Sequence, residues 1–193
     1  LTRKVHYNPH IHITKNFFSL IHAAFATEIE VPFSKIQIRD DEIQLAQAII
    51  DPAVRNSVLE RIESLARQAD VPYRHGQQRL ILINPNASDL LPQRRWSQQR
   101  FSELIRAVHA RWPADLILIT GSPAEFDYVE QVRRVAEVKA AINFAGQVKF
   151  AELPALYTLS DVMVTNDSGP GHFSAVTALR TAVSYTHLRA HET

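Results

Sequence analysis

From about residue 79 the chain alternates short apolar runs with longer amphipathic stretches. "RLILINP" (79–85), "DLILITG" (115–121), "AINFAG" (141–146) and "DVMVT" (161–165) read as four strands. Between the first two, residues 97–111 set Phe101, Leu104, Ile105 and Val108 on one helical face before Trp112 and Pro113 end the element. Residues 122–138 repeat the pattern with Phe126, Val129, Val132 and Ala136, and a helix with Leu153, Leu156 and Leu159 precedes the fourth strand. A last helix is expected over 173–179. Strands alternating with helices predict βαβ units and hence an α/β, Rossmann-like parallel sheet with flanking helices.

The first 78 residues lack that alternation: 15–26 and 51–69 read as helices around a mixed segment, "EIEVPFSKIQI". Val54, Val58, Ile62, Leu65 and Ala69 form the apolar stripe of the second. "DVPYRHGQQ" (70–78), polar and carrying Pro and Gly, reads as a linker. The expected organisation is a first segment over 1–69, the linker over 70–78 and a sheet domain over 79–183. At the end, "SYTHLRAHET" (184–193) breaks the apolar, small-residue pattern without any periodicity and is read as a non-native tail. The chain opens on Leu1 and without the apolar core of a signal peptide, so it is expected to start inside a longer protein.

Composition narrows the functional classes. Lys plus Arg number 21 against 20 for Asp plus Glu, so a net charge of +1 gives no electrostatic case for nucleic acid. No apolar run approaches the roughly 20 residues that cross a bilayer. With no cysteine, disulfides, thiolate metal sites and Cys nucleophiles are excluded. His10 and His12 alternate, but without a third ligand they are better read as surface or packing residues than as a metal site.

A parallel sheet binds ligands at the carboxyl ends of its strands, which directs attention to four turns. In "VTNDSGPGH" (164–172), Gly169 as N-cap with Pro170 after it would start a helix, with Asp167 or Ser168 as alternative caps. Free amides and the helix dipole there favour a phosphate, and Gly171 leaves room for a ligand to approach the backbone. The Asp167 carboxylate would repel a phosphate but suits sugar hydroxyls, and His172 can donate to a phosphate or a leaving oxygen. A plain helix start explains the same residues equally well. A hydrolase elbow does not, because Asn166 stands where G-x-S-x-G needs glycine. The first turn supplies Asn84, Asn86 and Ser88, then Arg94 and Arg95 before Trp96; a guanidinium grips a diphosphate through paired N–H donors. Glu125 closes a capping box, Ser122-Pro123-Ala124-Glu125, yet a carboxylate after the second strand also suits ribose hydroxyls.

With Arg94-Arg95-Trp96, Gly121 to Glu125 and Asp167-Ser168-Gly169-Pro170-Gly171-His172 in this order, the sequence resembles glycosyltransferase family 9, the ADP-heptose:lipopolysaccharide heptosyltransferases. The resemblance is closest over 79–183 and looser before it, and the D-S-G-x-x-H turn is its most specific part. It departs from the family where Arg94 replaces a usual Lys and Ser97 a usual Pro after Trp96. It implies a two-Rossmann-domain (GT-B) fold, with 1–69 as a remnant of the acceptor domain and 79–183 as an incomplete donor domain.

The resemblance further implies inverting transfer of a heptose from ADP-heptose to the lipid A and core acceptor of lipopolysaccharide, in the cytoplasm at the inner membrane of a Gram-negative bacterium. Arg94 would neutralise the diphosphate, Glu125 hold the ribose, Asp167 the heptose hydroxyls, and Ser168, Gly169, Gly171 and His172 the phosphates and adjoining sugar, with Asn86 and Ser88 alongside. No metal or other cofactor is expected. The general base is expected upstream, so the chain alone is expected to be inactive and poorly stable. Another nucleotide-sugar transferase of this fold, or a non-catalytic nucleotide-sugar binding module, stays open as an alternative.

Overall fold

The computed structural model describes Val5 and residues 13–25, 46–87 and 95–184. The chain divides into two compact units, 1–45 and 46–193. In the first, the described element is helix α1 (Ile13–Phe25), which buries Asn16, Ser19 and Ala23 and exposes Phe17, Leu20, Ile21 and Phe25. The mixed segment 28–38 and the histidines at 10 and 12 lie outside the described residues.

The second unit opens with helix α2 (Pro52–Gln68). Asp51 caps it, accepting from Ala53 N–H at 2.8 Å, and Pro52 supplies a preset φ in the first turn. Of the expected stripe, Val58 and Ile62 are fully buried and Val54, Leu65 and Ala69 partly so, while Ala66, outside that stripe, is fully buried beside them. These pack against Leu80, Leu82, Leu116 and Leu118, so a helix grouped by its pattern with the first segment lies on the sheet that follows. Residues 70–78 join it there, with Val71 and Tyr73 drawn into the core. Burial pushes the Tyr73 phenol up to about 12.

Five parallel strands form the sheet: β1 (Leu80–Asn84), β2 (Leu116–Ile119), β3 (Ala141–Asn143), β4 (Val162–Asn166) and β5 (Arg180–Ser184), in the order β3-β2-β1-β4-β5. Alternation sorts the side chains. Leu80, Leu82, Leu116 and Leu118 face α2 and helix α5 (Leu153–Leu159). Ile81, Ile83, Ile117 and Ile119 face α3 (Gln98–Arg111) and α4 (Phe126–Ala136). Each such buried side chain contributes about 1.5–3 kcal/mol relative to exposure, which is why both faces must be covered.

The helices begin and end for local reasons. Ser97 caps α3, accepting from Arg100 N–H at 3.3 Å, and Trp96 packs edge-on against Phe101. The expected helix over 122–138 is a 3₁₀ turn (Pro123–Glu125) leading into α4, which stops where Glu137 turns left-handed at φ 54°.

The region after β4 departs from expectation. Helix α6 runs only from Gly169 to Phe173 and gives way to a 3₁₀ turn, Ser174–Val176. Ser174 Oγ donates to Gly171 O at 2.7 Å and Thr177 N–H to Ser174 O at 3.0 Å, so local bonds replace the next helical turn. In place of a helix to 179 the chain enters β5, whose Ser184 pairs in register with Asn166. The sequence pattern places Ser184 in the tail, yet it closes β5; residues 185–193 lie outside the described residues.

After three strands advance in one direction, α5 returns the chain to the other side of β1. The carboxyl ends of β1 and β4 therefore flank a topological switch point, where open α/β sheets bind ligands.

Candidate functional site: a cavity at the carboxyl edge of the sheet

A cavity of about 630 Å³ opens at that edge. Each of the first four strands contributes to its wall. From β1 come Asn84, Asn86 and Ala87; after β2 come Thr120, Gly121, Ser122, Pro123 and Glu125. The turn after β3 adds Phe144, Gly146, Lys149 and Phe150, and the turn after β4 adds Ser168, Gly169 and Pro170. Leu153, Leu156 and Tyr157 of α5 make its apolar side. An apolar lining with a few convergent polar groups suits a small organic ligand.

Polar bonds stiffen the floor. Asn84 Nδ2 donates to Thr120 Oγ1 (3.2 Å), Asn86 N–H to Asn84 Oδ1 (3.2 Å) and Asn86 Nδ2 to Thr120 O (2.8 Å). Asn86 Oδ1 is buried with no hydrogen-bond partner among the described residues. At Gly121 an added Cβ would lie 2.9 Å from Asn86 Nδ2 and 3.1 Å from Val129 Cγ2, so only glycine fits between the wall and α4. Gly146 has φ +74°, donates its N–H to Gly121 O at 2.9 Å, and leaves 3.2 Å to Pro123 Cα for a Cβ. Two turns are thereby joined back to back.

Glu125 lines the cavity while its Oε2 accepts from Ser122 N–H at 2.7 Å. The capping box is thus formed. Beyond β4, Ser168 rather than Gly169 occupies the N-cap position, and its Oγ lies 2.9 Å from Thr165 Oγ1 instead of bonding the helix amides. Five residues align too few peptide dipoles for the expected field, so what this turn offers a ligand is exposed backbone. An added Cβ on Gly169 would meet nothing within 4 Å. Gly171 differs: its Cβ would sit 3.0 Å from Thr165 Cγ2, so its smallness serves packing against β4 rather than ligand approach.

Asp167 and His172 pair with each other, Nε2 to Oδ1, at 3.2 Å. The histidine side chain is 73% exposed and the aspartate 21%, so the pair sits at the rim, outside the wall residues. Arg95, next to the arginine singled out from the sequence, donates to Ala87 O at 2.6 Å and lies over the Tyr128 ring at 4.9 Å. Ser88 and Arg94 lie outside the described residues.

Several wall residues escaped the sequence reading. The turn after β3 follows a strand and so faces a ligand by its position, but Gly146, Lys149 and Phe150 in it carry no motif. Phe150, 72% exposed, stacks on Phe173 at 4.8 Å. Tyr157 donates to Pro170 O at 3.4 Å, and burial raises its phenol to about 12, so it stays a neutral donor. Among the described residues no group of three or more His, Asp or Glu is arranged to hold a metal, and no helix is long and apolar enough to cross a membrane.

A family model described as glycosyltransferase family 9 (heptosyltransferase) matches residues 1–183. Lipopolysaccharide heptosyltransferase 3 of Escherichia coli is 29% identical over 100 residues, 51% of this chain and 28% of that protein. Among solved structures, E. coli ADP-heptose lps heptosyltransferase II superposes with a TM-score of 0.57 at 18% identity, covering 72% of this chain and 39% of that one. A family 9 glycosyl transferase of Veillonella parvula superposes at 0.62 with 20% identity, covering 77% and 39%. The chain thus spans well under half the length of these relatives.

Proposed function

Because the chain belongs to glycosyltransferase family 9, we propose that it is the donor-binding part of an enzyme that moves a heptose from ADP-heptose to the inner core of lipopolysaccharide. The observation that carries this reading is the cavity at the β1/β4 switch point, with Glu125 on one wall and the open Ser168-Gly169 backbone on another. It is supported by a relative and a solved neighbour whose names refer to lipopolysaccharide and ADP-heptose.

In this reading the adenosine occupies the apolar part of the cavity, Glu125 accepts from the ribose hydroxyls with the oxygen not used by Ser122, and Asn86 supports the wall. The diphosphate lies against the Ser168 and Gly169 backbone, with Arg94 and Ser88 the residues that the family resemblance assigns to it, and the heptose reaches the rim, where Asp167 accepts from its hydroxyls. His172, held by Asp167, donates to the departing phosphate. Gly171 keeps α6 close to β4 and so sets where the turn stands. An acceptor hydroxyl attacks the anomeric carbon as the bond to the phosphate oxygen breaks; configuration inverts, ADP leaves with the electron pair, and the hydroxyl proton passes to a general base of the acceptor domain. Charge on the departing diphosphate is met by Arg94 and backbone amides, and the scheme needs no metal. The enzyme would work in the cytoplasm, at the inner face of the membrane that carries its acceptor.

Incubation of the full-length protein with ADP-heptose and a heptose-deficient lipopolysaccharide tests this. Release of ADP with an acceptor heavier by one heptose is the expected result; hydrolysis or no turnover contradicts it.

A further inference from the structure

The turn after β3 leaves an edge strand and has little core to hold it: of residues 146–150 none is buried, and Val148 is packed only partly against the cluster shared with α2 and α5. Yet Gly146, Val148, Lys149 and Phe150 line the cavity. Polar bonds from outside the cavity fix this turn. Arg61 of α2 forks onto Glu152, Nη1 to Oε2 at 3.3 Å and Nη2 to Oε1 at 3.4 Å, and Nη1 also donates to Gln147 O. Glu152 Oε2 accepts in turn from Lys149 N–H at 2.7 Å, which closes a 3₁₀ turn over Phe150–Glu152. The Lys149 amide, followed by Arg61, holds the Glu152 carboxyl below its ordinary value, so it is ionised at neutral pH. The Arg61 and Glu152 side chains are 31% and 19% exposed, and neither residue lines the cavity. A guanidinium suits this task because its planar fork meets a carboxylate with two donors at once.

We propose that Arg61 and Glu152 are positioning residues for the nucleoside of the donor: their ion pair fixes the wall formed by Val148, Lys149 and Phe150, which runs on into Leu153 at the apolar side of the cavity. They touch no ligand themselves. The inference rests on the donor-site reading above, and it makes a claim that reading does not, namely that an ion pair outside the cavity sets nucleoside affinity without taking part in the reaction. The nucleoside is bound alike before and at the transition state, so loosening its wall raises KM for the donor and leaves kcat in place.

Calorimetric titration of the full-length protein with ADP and with adenosine, together with transfer kinetics on ADP-heptose, tests it. The variants are Arg61→Ala, Glu152→Gln, the two combined and, as a destabilised control buried on the other face of the sheet, Ile105→Val. Arg61→Ala is expected to weaken ADP and adenosine alike by about tenfold, and Glu152→Gln, which keeps an acceptor for Lys149 N–H, by about threefold. The double variant is expected to be no worse than Arg61→Ala, because both changes remove one contact. KM for ADP-heptose is expected to rise in step, with kcat and every Ile105→Val value within about twofold of wild type. ADP affinity held within that margin in Arg61→Ala overturns the inference; where that variant folds poorly, unchanged affinity in Glu152→Gln does so. A loss for ADP with adenosine held, a fall in kcat with KM held, or a matching loss in Ile105→Val overturns it too. A wild type that binds neither ligand removes the donor site itself and the inference with it, whereas wild-type binding with unchanged variants removes the positioning role alone.

Discussion

Two glycines of the turn after β4 separate packing from ligand approach. Gly171→Ala would press a methyl on Thr165 Cγ2 at 3.0 Å, and Thr165 is fully buried with its Oγ1 held by Ser168 and Asn166. The expected loss is about 1–3 kcal/mol in denaturant unfolding. Thr165→Ser removes the clashing methyl and keeps the hydroxyl, so the double variant should recover most of the loss attributable to Gly171→Ala. Gly169→Ala meets open space in the protein, so unfolding should change little while ADP affinity drops. Asp167→Ala is expected to leave the fold intact and lower heptose transfer by about two orders of magnitude. Near-normal transfer would reduce the D-S-G-x-x-H turn to a structural motif.

At the scale of elements, α4 shows how charge holds a helix to the sheet. Glu130 accepts from Arg133, Arg134 and Asn143 of β3, and the Arg133 hydrogen bond leads in holding its carboxyl down at about 2 against an ordinary 4.5. A depressed carboxyl stabilises the fold above its unfolded value and loses that contribution as pH falls through the folded one. Stability should therefore decline between about pH 4.5 and pH 2, and Glu130→Gln should flatten that decline in thermal melts while lowering the melting temperature at pH 7. Strands β1 and β2 and helices α3 and α4 were legible in the sequence because both faces of those strands are apolar and the helical stripes are regular. Strand β5 was not, since an edge strand with exposed and half-buried positions carries no apolar run, and 173–179 looks helical until Ser174 and Thr177 turn the backbone. Of the residues lining the cavity, Glu125 and Ser168 stand on motif-bearing turns that the sequence singles out; Gly146, whose need for φ +74° only the packed turn reveals, carries no such signal.

At the scale of the molecule, α2 lies on the face of the sheet it precedes, so the compact unit begins at Ala46 and carries every described residue of the cavity wall. The central claim is that this cavity receives ADP-heptose. Four strand ends converge there, and they differ in chemistry: apolar beside α5, acidic at Glu125, open backbone at Gly169. A nucleoside diphosphate needs that sequence of surfaces along its length. The most direct measurement is calorimetric titration of the full-length protein with ADP, UDP and GDP. Saturable binding of ADP at least tenfold tighter than either other nucleotide is the expected result; a preference for UDP or GDP, or no binding of any of the three, would contradict it.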